Sequence, residues 1–302
     1  MSRHDRLDLG LVVATHGRHA VVQTPERQRL LCHLRGKKSD VVVGDRVRWQ
    51  PAGDEGVIEH IEPRRNLLFR RDEWRTKSFA ANLDLILVLV SGEPMFSEAQ
   101  LTRALIAAEL ADIPVLVGLN KTDLPSADTA RERLRPYVAM GIDVIELSLK
   151  RQAEQSASAL RNRLGGRTTL VLGPSGTGKS TLINLMVPRA EAEVGEISTA
   201  LNSGRHTTTS TRWYALGDLD ADGALIDSPG FQEFGLHHVA ADALAGLMPD
   251  LRAQLGGCRF YNCTHRQEPG CAVLAALERG EITATRHRLY LELHAELSAT
   301  RW

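Results

Sequence analysis

The sequence lacks most of what would assign a protein by composition alone. Only 4 of its 302 residues are cysteine, which excludes a disulfide-dense secreted scaffold. Aromatic residues make up 5%. There is no excess of charge of either sign: 37 Lys and Arg balance 37 Asp and Glu. No global field therefore draws the chain to nucleic acid or to an anionic surface, and any such surface has to be local. No apolar run approaches the ~20 residues of a membrane-spanning helix. The opening Met1-Ser2-Arg3-His4-Asp5 is polar and has no apolar core of a secretory leader. A cytoplasmic chain without a membrane partner is the expectation. The remainder, 43% hydrophobic and 25% charged, is ordinary globular composition, with length enough for two or three domains.

One stretch organises the rest. Gly173-Pro174-Ser175-Gly176-Thr177-Gly178-Lys179-Ser180-Thr181 has the G-x-x-x-x-G-K-[ST] spacing of a phosphate-binding P-loop. Thr169–Leu172 enters it as a short apolar strand, and Leu182–Met186 leaves it as the start of a helix before Pro188. The glycines let backbone N–H groups turn inward around a phosphate, and a helix N-terminus adds partial positive charge. Lys179 is expected at the terminal phosphates and the Ser180 hydroxyl on Mg²⁺.

Upstream, Leu83–Val90 is nearly continuous apolar, as in a strand buried on both faces. Ser97 and Gln100 form a capping-box pattern before a helix through Leu101, Leu105 and Ala108, and Pro114–Leu119 is the next buried strand. Strand–helix–strand repetition argues for a parallel α/β sheet. At the end of that strand stands Asn120-Lys121-Thr122-Asp123, the N-K-x-D pattern. The Asp123 carboxylate accepts from N1–H and from the exocyclic amine of guanine, donors that adenine lacks there. Asn120 is expected to bind the base or to tether the P-loop, and the Lys121 stem to cover a base face. One strand later, Ser148-Leu149-Lys150 is similar to the S-A-K element that offers backbone N–H groups to guanine O6.

Two elements follow the P-loop. Gly204-Arg205-His206-Thr207-Thr208-Thr209 reads as switch I. Thr208 is taken as its Mg²⁺ ligand, with Thr207 and Thr209 as the alternatives. Ala224–Asp227 reads as a strand ending in Asp227-Ser228-Pro229-Gly230, with Asp227 behind Mg²⁺ and the Gly230 N–H at the γ-phosphate. Phe231 stands where many GTPases carry a water-orienting Gln. His206 is the candidate catalytic residue in its place, and Gln232 is the alternative. The elements are complete but circularly permuted, because N-K-x-D and S-L-K precede the P-loop.

The flanking segments differ in kind. Five short strands over about Leu7–Arg65 predict an OB-type barrel, with Cys32 as a small core residue. Arg35, Lys37, Lys38, Arg46 and Arg48, then Arg64, Arg65, Arg70, Arg71, Arg75 and Lys77 with Phe69 and Trp74, read either as a phosphate-and-stacking surface or as a solvated linker. Near the other end, Cys258, Cys263, His265 and Cys271 give C-x₄-C-x-H-x₅-C, three thiolates and an imidazole for one tetrahedral structural zinc. Leu289, Leu293 and Leu297 mark a terminal amphipathic helix.

Together these motifs resemble the RsgA/YjeQ family of circularly permuted GTPases. The resemblance covers nearly the whole chain and implies a multidomain protein: an OB-type β-barrel (1–70), a permuted α/β P-loop GTPase domain (71–235) and a mainly helical zinc-binding domain (236–302). It further implies a monomeric GTP/GDP-binding enzyme using Mg²⁺, stimulated on the small ribosomal subunit. The barrel and the zinc domain would then contact 16S rRNA during late maturation. Thr177, Thr181 and Leu149 depart from the residues more frequent in that family, but each retains its backbone role. Chain order also leads switch II, about Gly230–Gly235, directly into the zinc domain, so a γ-phosphate-dependent shift is expected to move that domain as a unit. A P-loop ATPase or nucleotide kinase, and a zinc- and RNA-binding scaffold with a structural nucleotide, are the competing readings.

Overall fold

Five short strands open the fold: β1 (Asp8–His16), β2 (His19–Gln23), β3 (Arg29–Leu34), β4 (Arg46–Ala52) and β5 (Glu55–Ile61). A computed structural model describes residues 7–35, 40–73, 76–188, 190, 211–217, 223–228 and 234–299. β1 is long enough to serve two neighbours. Asp8–Leu11 pairs antiparallel with β4, and Leu11–His16 pairs with β2 across a bulge between Val12 and Ala14. β2 pairs with β3, β4 pairs with β5, and β3 and β5 run parallel. The ring β1-β2-β3-β5-β4-β1 is closed, as an OB barrel requires. Val12, Ala20, Val22, Cys32, Val47, Trp49 and Ile58 fill it. Burial pushes the Cys32 thiol up to about 11, as suits a packing residue.

β6 (Leu67–Arg71) and β7 (Thr76–Ala81) form a separate two-stranded hairpin where the sequence suggested either a binding surface or a linker. Residue pairing ties this hairpin to the barrel at Val43–Ala80 and, at Arg71–Leu236, to the segment that follows switch II.

The central sheet adds β8 (Leu85–Ser91), α1 (Glu98–Leu110), β9 (Val115–Asn120), α2 (Ser126–Ala139), β10 (Asp143–Glu146), α3 (Ala153–Leu164), β11 (Thr168–Leu172), α4 (Lys179–Met186), β12 (Arg212–Ala215) and β13 (Ala224–Asp227). The spatial order is β10-β9-β8-β11-β13-β12. All neighbours are parallel except β12, which is antiparallel to β13 and meets the barrel at Ala14–Arg212. β11, which carries the P-loop, thus lies between the strand leading towards the base-reading half and the strand ending in Asp227. This juxtaposition does not depend on where the chain begins.

β8 is buried at every position. Alternation sends Ile86, Val88 and Val90 into the core with α1 and α2, and Leu85, Leu87 and Leu89 into the core with α3 and α4. Ser97 caps α1, its hydroxyl accepting from the Gln100 N–H at 3.3 Å.

The C-terminal unit is mainly helical: 3₁₀ turns at Ala241–Leu247 and Leu255–Gly257, a helical turn at Pro249–Arg252, α5 (Ala272–Glu278) and α6 (Ala284–Ala299). Leu289, Leu293 and Leu297 of α6 are buried. Leu244, Met248, Leu251, Val273, Leu293 and Leu297 belong to the same core cluster as α1 and α2. Among the described residues no helix is long and apolar enough to cross a membrane.

Candidate functional site

The loop Gly173–Gly178 turns between β11 and α4 with Gly173, Gly176 and Gly178 all at positive φ (154°, 82° and 107°). Gly178 is required twice, by its backbone and by its neighbour: a Cβ there would lie 2.4 Å from Asn120 Nδ2. That amide donates to the Thr177 carbonyl at 2.8 Å, while Asn120 Oδ1 accepts from the Leu149 N–H at 3.1 Å. One buried side chain therefore joins the P-loop, the N-K-x-D turn and the S-L-K turn. Of the two roles expected for Asn120, the described contacts are those of the tether. Thr177 is fully buried, and its hydroxyl donates to the Pro174 carbonyl at 2.9 Å.

The base-reading turn is fixed from below. The Thr122 hydroxyl donates to the Leu147 carbonyl at 3.0 Å, and the Ser148 hydroxyl donates to Asp123 Oδ1 at 2.6 Å. That bond holds the exposed Asp123 carboxyl below its ordinary range. Ser156 braces the Ser148 N–H at 3.1 Å. Lys121 sits at φ 62°, and its ammonium donates to the Glu93 carbonyl. Lys150 lies on the exposed turn beyond Leu149.

Lys179 donates to the carbonyls of Gly173 (2.6 Å) and Pro174 (3.0 Å), so its ammonium lies over the loop it belongs to. Burial lowers the ammonium, with Asp227 opposing. Burial likewise raises the Asp227 carboxyl, with Lys179 and Arg212 opposing. The lysine that opens α4 and the acid that ends β13 thus act on one another electrostatically. Ser175, Gly176 and Ser180 are solvent-exposed and Thr181 is half-buried. His206 and Thr207–Thr209, with Gly230, Phe231 and Gln232, lie outside the described residues.

The second site is a cluster. The ligand atoms of Cys258, Cys263, His265 and Cys271 all lie within 4.8 Å of one another. His265 Nδ1 is 3.6 Å from Cys258 Sγ and 3.5 Å from Cys271 Sγ. A tetrahedron with Zn–S of about 2.3 Å and Zn–N of about 2.0–2.1 Å has S···N edges of roughly 3.5–3.6 Å. The donor set therefore fits zinc in both chemistry and spacing. His265 takes a left-handed φ of 57° to turn inward. Its carbonyl contacts His287 Nε2 at 2.8 Å, and Tyr290 donates to the neighbouring Thr264 carbonyl at 2.8 Å. The Glu268 carboxylate accepts from the N–H groups of Thr264 (2.8 Å), Arg266 (2.9 Å) and Gln267 (3.1 Å), closing the loop on itself. Glu268, His287 and Tyr290 carry no sequence signal, since none is a ligand and their spacing follows from the folded loop.

The basic residues of the first third are largely engaged within the chain. Arg64 forks onto buried Asp45 at 2.7 and 2.8 Å, Arg65 meets Asp84 at 2.8 Å, and Arg48 meets Glu62 at 2.5 Å. Arg35 pairs with Glu59, and Phe69 lies tilted against His238 at 4.5 Å between centroids. Arg46, Arg71 and Lys77 are exposed, whereas Lys37, Lys38, Trp74 and Arg75 lie outside the described residues.

A phosphate-binding loop at the centre of a parallel sheet, tethered by Asn120 to a guanine-type turn and flanked by a barrel and a thiolate–imidazole cluster, defines a circularly permuted P-loop GTPase. Comparison narrows the class. The chain belongs to the RsgA GTPase family, whose model matches residues 61–237. It is 58% identical over 298 residues to the Small ribosomal subunit biogenesis GTPase RsgA of Variovorax paradoxus, covering 97% of this chain and 93% of that one. The protein of the same name from Paraburkholderia phytofirmans is 55% identical over 294 residues, with 96% and 93% covered. Among solved structures, YjeQ from Thermotoga maritima is 28% identical with a TM-score of 0.74, covering 97% and 99% of the two chains. YloQ, described as a circularly permuted GTPase, is 26% identical with a TM-score of 0.71, covering 100% and 99%.

Proposed function

We propose that this chain binds the small ribosomal subunit and couples GTP hydrolysis to its late maturation, as a cytoplasmic monomer organised in units 1–70, 71–235 and 236–302. Its relatives' names supply the ribosomal context. The observation that carries the GTP chemistry is the Asn120 tether, which sets a phosphate loop and a guanine-type turn at fixed separation. In this reading the amides of Gly173–Thr181 cradle the β- and γ-phosphates, and Lys179 exchanges its carbonyl partners for phosphate oxygens. Asp123, pre-oriented by Ser148, accepts from guanine N1–H and its amine. The N–H groups of Ser148–Lys150 meet O6. Ser180 and Thr208 ligate Mg²⁺, with Asp227 behind it. Gly230 donates to the γ-phosphate, and His206 positions the attacking water. The barrel and the zinc unit contact 16S rRNA.

The deciding experiment is GTP and ATP turnover by the zinc-loaded protein, with and without small subunits. Turnover of GTP but not ATP, raised by small subunits and weakened by Asp123→Asn, is expected. ATP turnover at the GTP rate would return the chain to the general ATPase or kinase class. No turnover under any condition would leave a scaffold with a structural nucleotide. Run as a single turnover, the same assay on His206→Ala should lose chemistry while nucleotide affinity is retained.

A further inference from the structure

Large apolar side chains are exposed at five described positions: Leu9, Leu110, Val138, Phe260 and Tyr261. Three of these are scattered, which is ordinary for a folded surface. Phe260 and Tyr261 are adjacent in sequence, and they stand at the tip of the loop between the first two zinc-type ligands. Phe260 is 42% exposed and Tyr261 is fully exposed at 103%.

The tip is built rather than loose. Cys258 and Cys263 anchor its ends in the ligand cluster. The Arg259 N–H donates to the Gly270 carbonyl at 3.0 Å, and the Cys263 N–H donates to the Phe260 carbonyl at 3.3 Å, closing a turn around the rings. The Arg259 guanidinium lies over Phe260, 5.5 Å from its centroid. Rings held by a backbone that is already ordered lose little freedom when a partner arrives.

The charge selects the partner. Within Cys258–Cys271 the cations are Arg259 and Arg266, both exposed, and the only carboxylate is Glu268. That carboxylate is turned onto three backbone N–H groups of its own loop. The loop therefore presents a free aromatic side chain at its tip, a guanidinium over the adjacent Phe260 and a second exposed arginine, Arg266, within Cys258–Cys271, the combination that stacks an unpaired base and contacts its phosphates. An apolar protein groove would leave both guanidinium groups to be desolvated without partners.

We propose that Tyr261, beside Phe260 and Arg259 in the sequence of this loop, is a stacking platform for an unpaired RNA base. The proposal rests on the small-subunit reading for its biological setting, but not for its chemistry. The test is binding of the full-length, zinc-loaded chain to a short, labelled, unstructured oligoadenylate RNA and to a duplex RNA of equal length, over a salt series. Tyr261→Ala should weaken single-strand binding by about five- to 150-fold, the range for losing one base–aromatic stack. Tyr261→Trp and Tyr261→Phe should retain binding. The slope of log K against log salt should not change with Tyr261→Ala, because no phosphate contact is lost, whereas Arg266→Gln should reduce it by about one. Zinc content and melting of Tyr261→Ala should match the parent, since the side chain packs on nothing.

Unchanged single-strand affinity in both Tyr261→Ala and Phe260→Ala overturns the proposal. So does an equal loss on duplex RNA, or a variant that binds the oligonucleotide normally yet sediments poorly with small subunits, which would assign the tip to a ribosomal protein. If the parent chain neither binds small subunits nor is stimulated by them, the small-subunit reading fails, while the oligonucleotide comparison still decides on the platform.

Discussion

Asn120 and Gly178 show how much a single contact can fix. The Asn120 amide reaches the Thr177 carbonyl only because residue 178 has no Cβ. Gly178→Ala would add left-handed strain of about 1–2 kcal/mol and displace an amide whose buried hydrogen bond is worth a further ~1 kcal/mol. Nucleotide affinity should fall by at least about tenfold, since a 1.4 kcal/mol loss is a factor of ten. Titration with a fluorescent GTP analogue measures this, and parental affinity would show that the tether is dispensable. The P-loop, N-K-x-D and S-L-K turns could be located in the sequence because each motif is contiguous, and the structure brings the three together at Asn120. What was not legible is the use each residue makes of its neighbours. Arg64 reads as a basic surface residue, yet its guanidinium is spent on Asp45, 19 positions away. Charge density in a sequence does not reveal which cations already have internal partners.

The same limit holds for elements. Five barrel strands could be read as short apolar or alternating runs separated by turn residues. The β6–β7 hairpin could not, because Arg70 stands directly opposite Lys77 and the pattern reads as a charged linker. Its order comes from elsewhere. Arg71 donates to the Gly235 carbonyl and accepts from the His237 N–H, both at 3.0 Å, and Phe79 stacks on Phe234 at 5.2 Å. The exit from switch II thus joins the hairpin as a third chain. α6 closes this corner: Glu296 receives Arg103 of α1 and lies 3.9 Å from His237. Hydrogen bonds from Arg103 hold the Glu296 carboxyl below the ordinary range. The folded chain therefore keeps Glu296 ionised to lower pH than the unfolded chain does. The pair's contribution is complete above the ordinary glutamate pKa and is lost as pH falls through the depressed value. From about pH 4, near the ordinary glutamate value, downwards, melting temperature should drop more steeply for the parent than for Glu296→Gln. Parallel melting curves would mean that the pair does not hold α6.

At the scale of the whole molecule, chain order suggested that the zinc unit hangs from switch II and moves with it. The packing adds a second attachment that order cannot reveal. Arg286 of α6 is buried, with its guanidinium forked onto Asp250 at 2.8 and 2.9 Å. It also donates to Thr102 of α1 at 2.8 Å and lies 5.2 Å from the Tyr137 ring centroid of α2. A cavity of about 120 Å³ lies beside it, lined by Ile106, Ile142 and Met248 among others. The C-terminal unit is thereby fastened to the helices of the base-reading half, so any motion that switch II imparts to it must either carry α1 and α2 along or break this pair. Arg286→Met would leave the Asp250 carboxylate buried and unpaired, a loss of about 3–5 kcal/mol when one partner of such a pair is removed. Urea unfolding should register it, and Arg286→Met with Asp250→Leu should recover a large share, because no charge is then stranded. GTP affinity should be unchanged in both variants. The base-reading turn is held by Thr177, Leu147, Leu149 and Ser148, and none of these touches Arg286. Equal destabilisation of the single and double variants would show that packing alone fastens the seam, and any switch II motion would then have to carry α1 and α2 through the shared core.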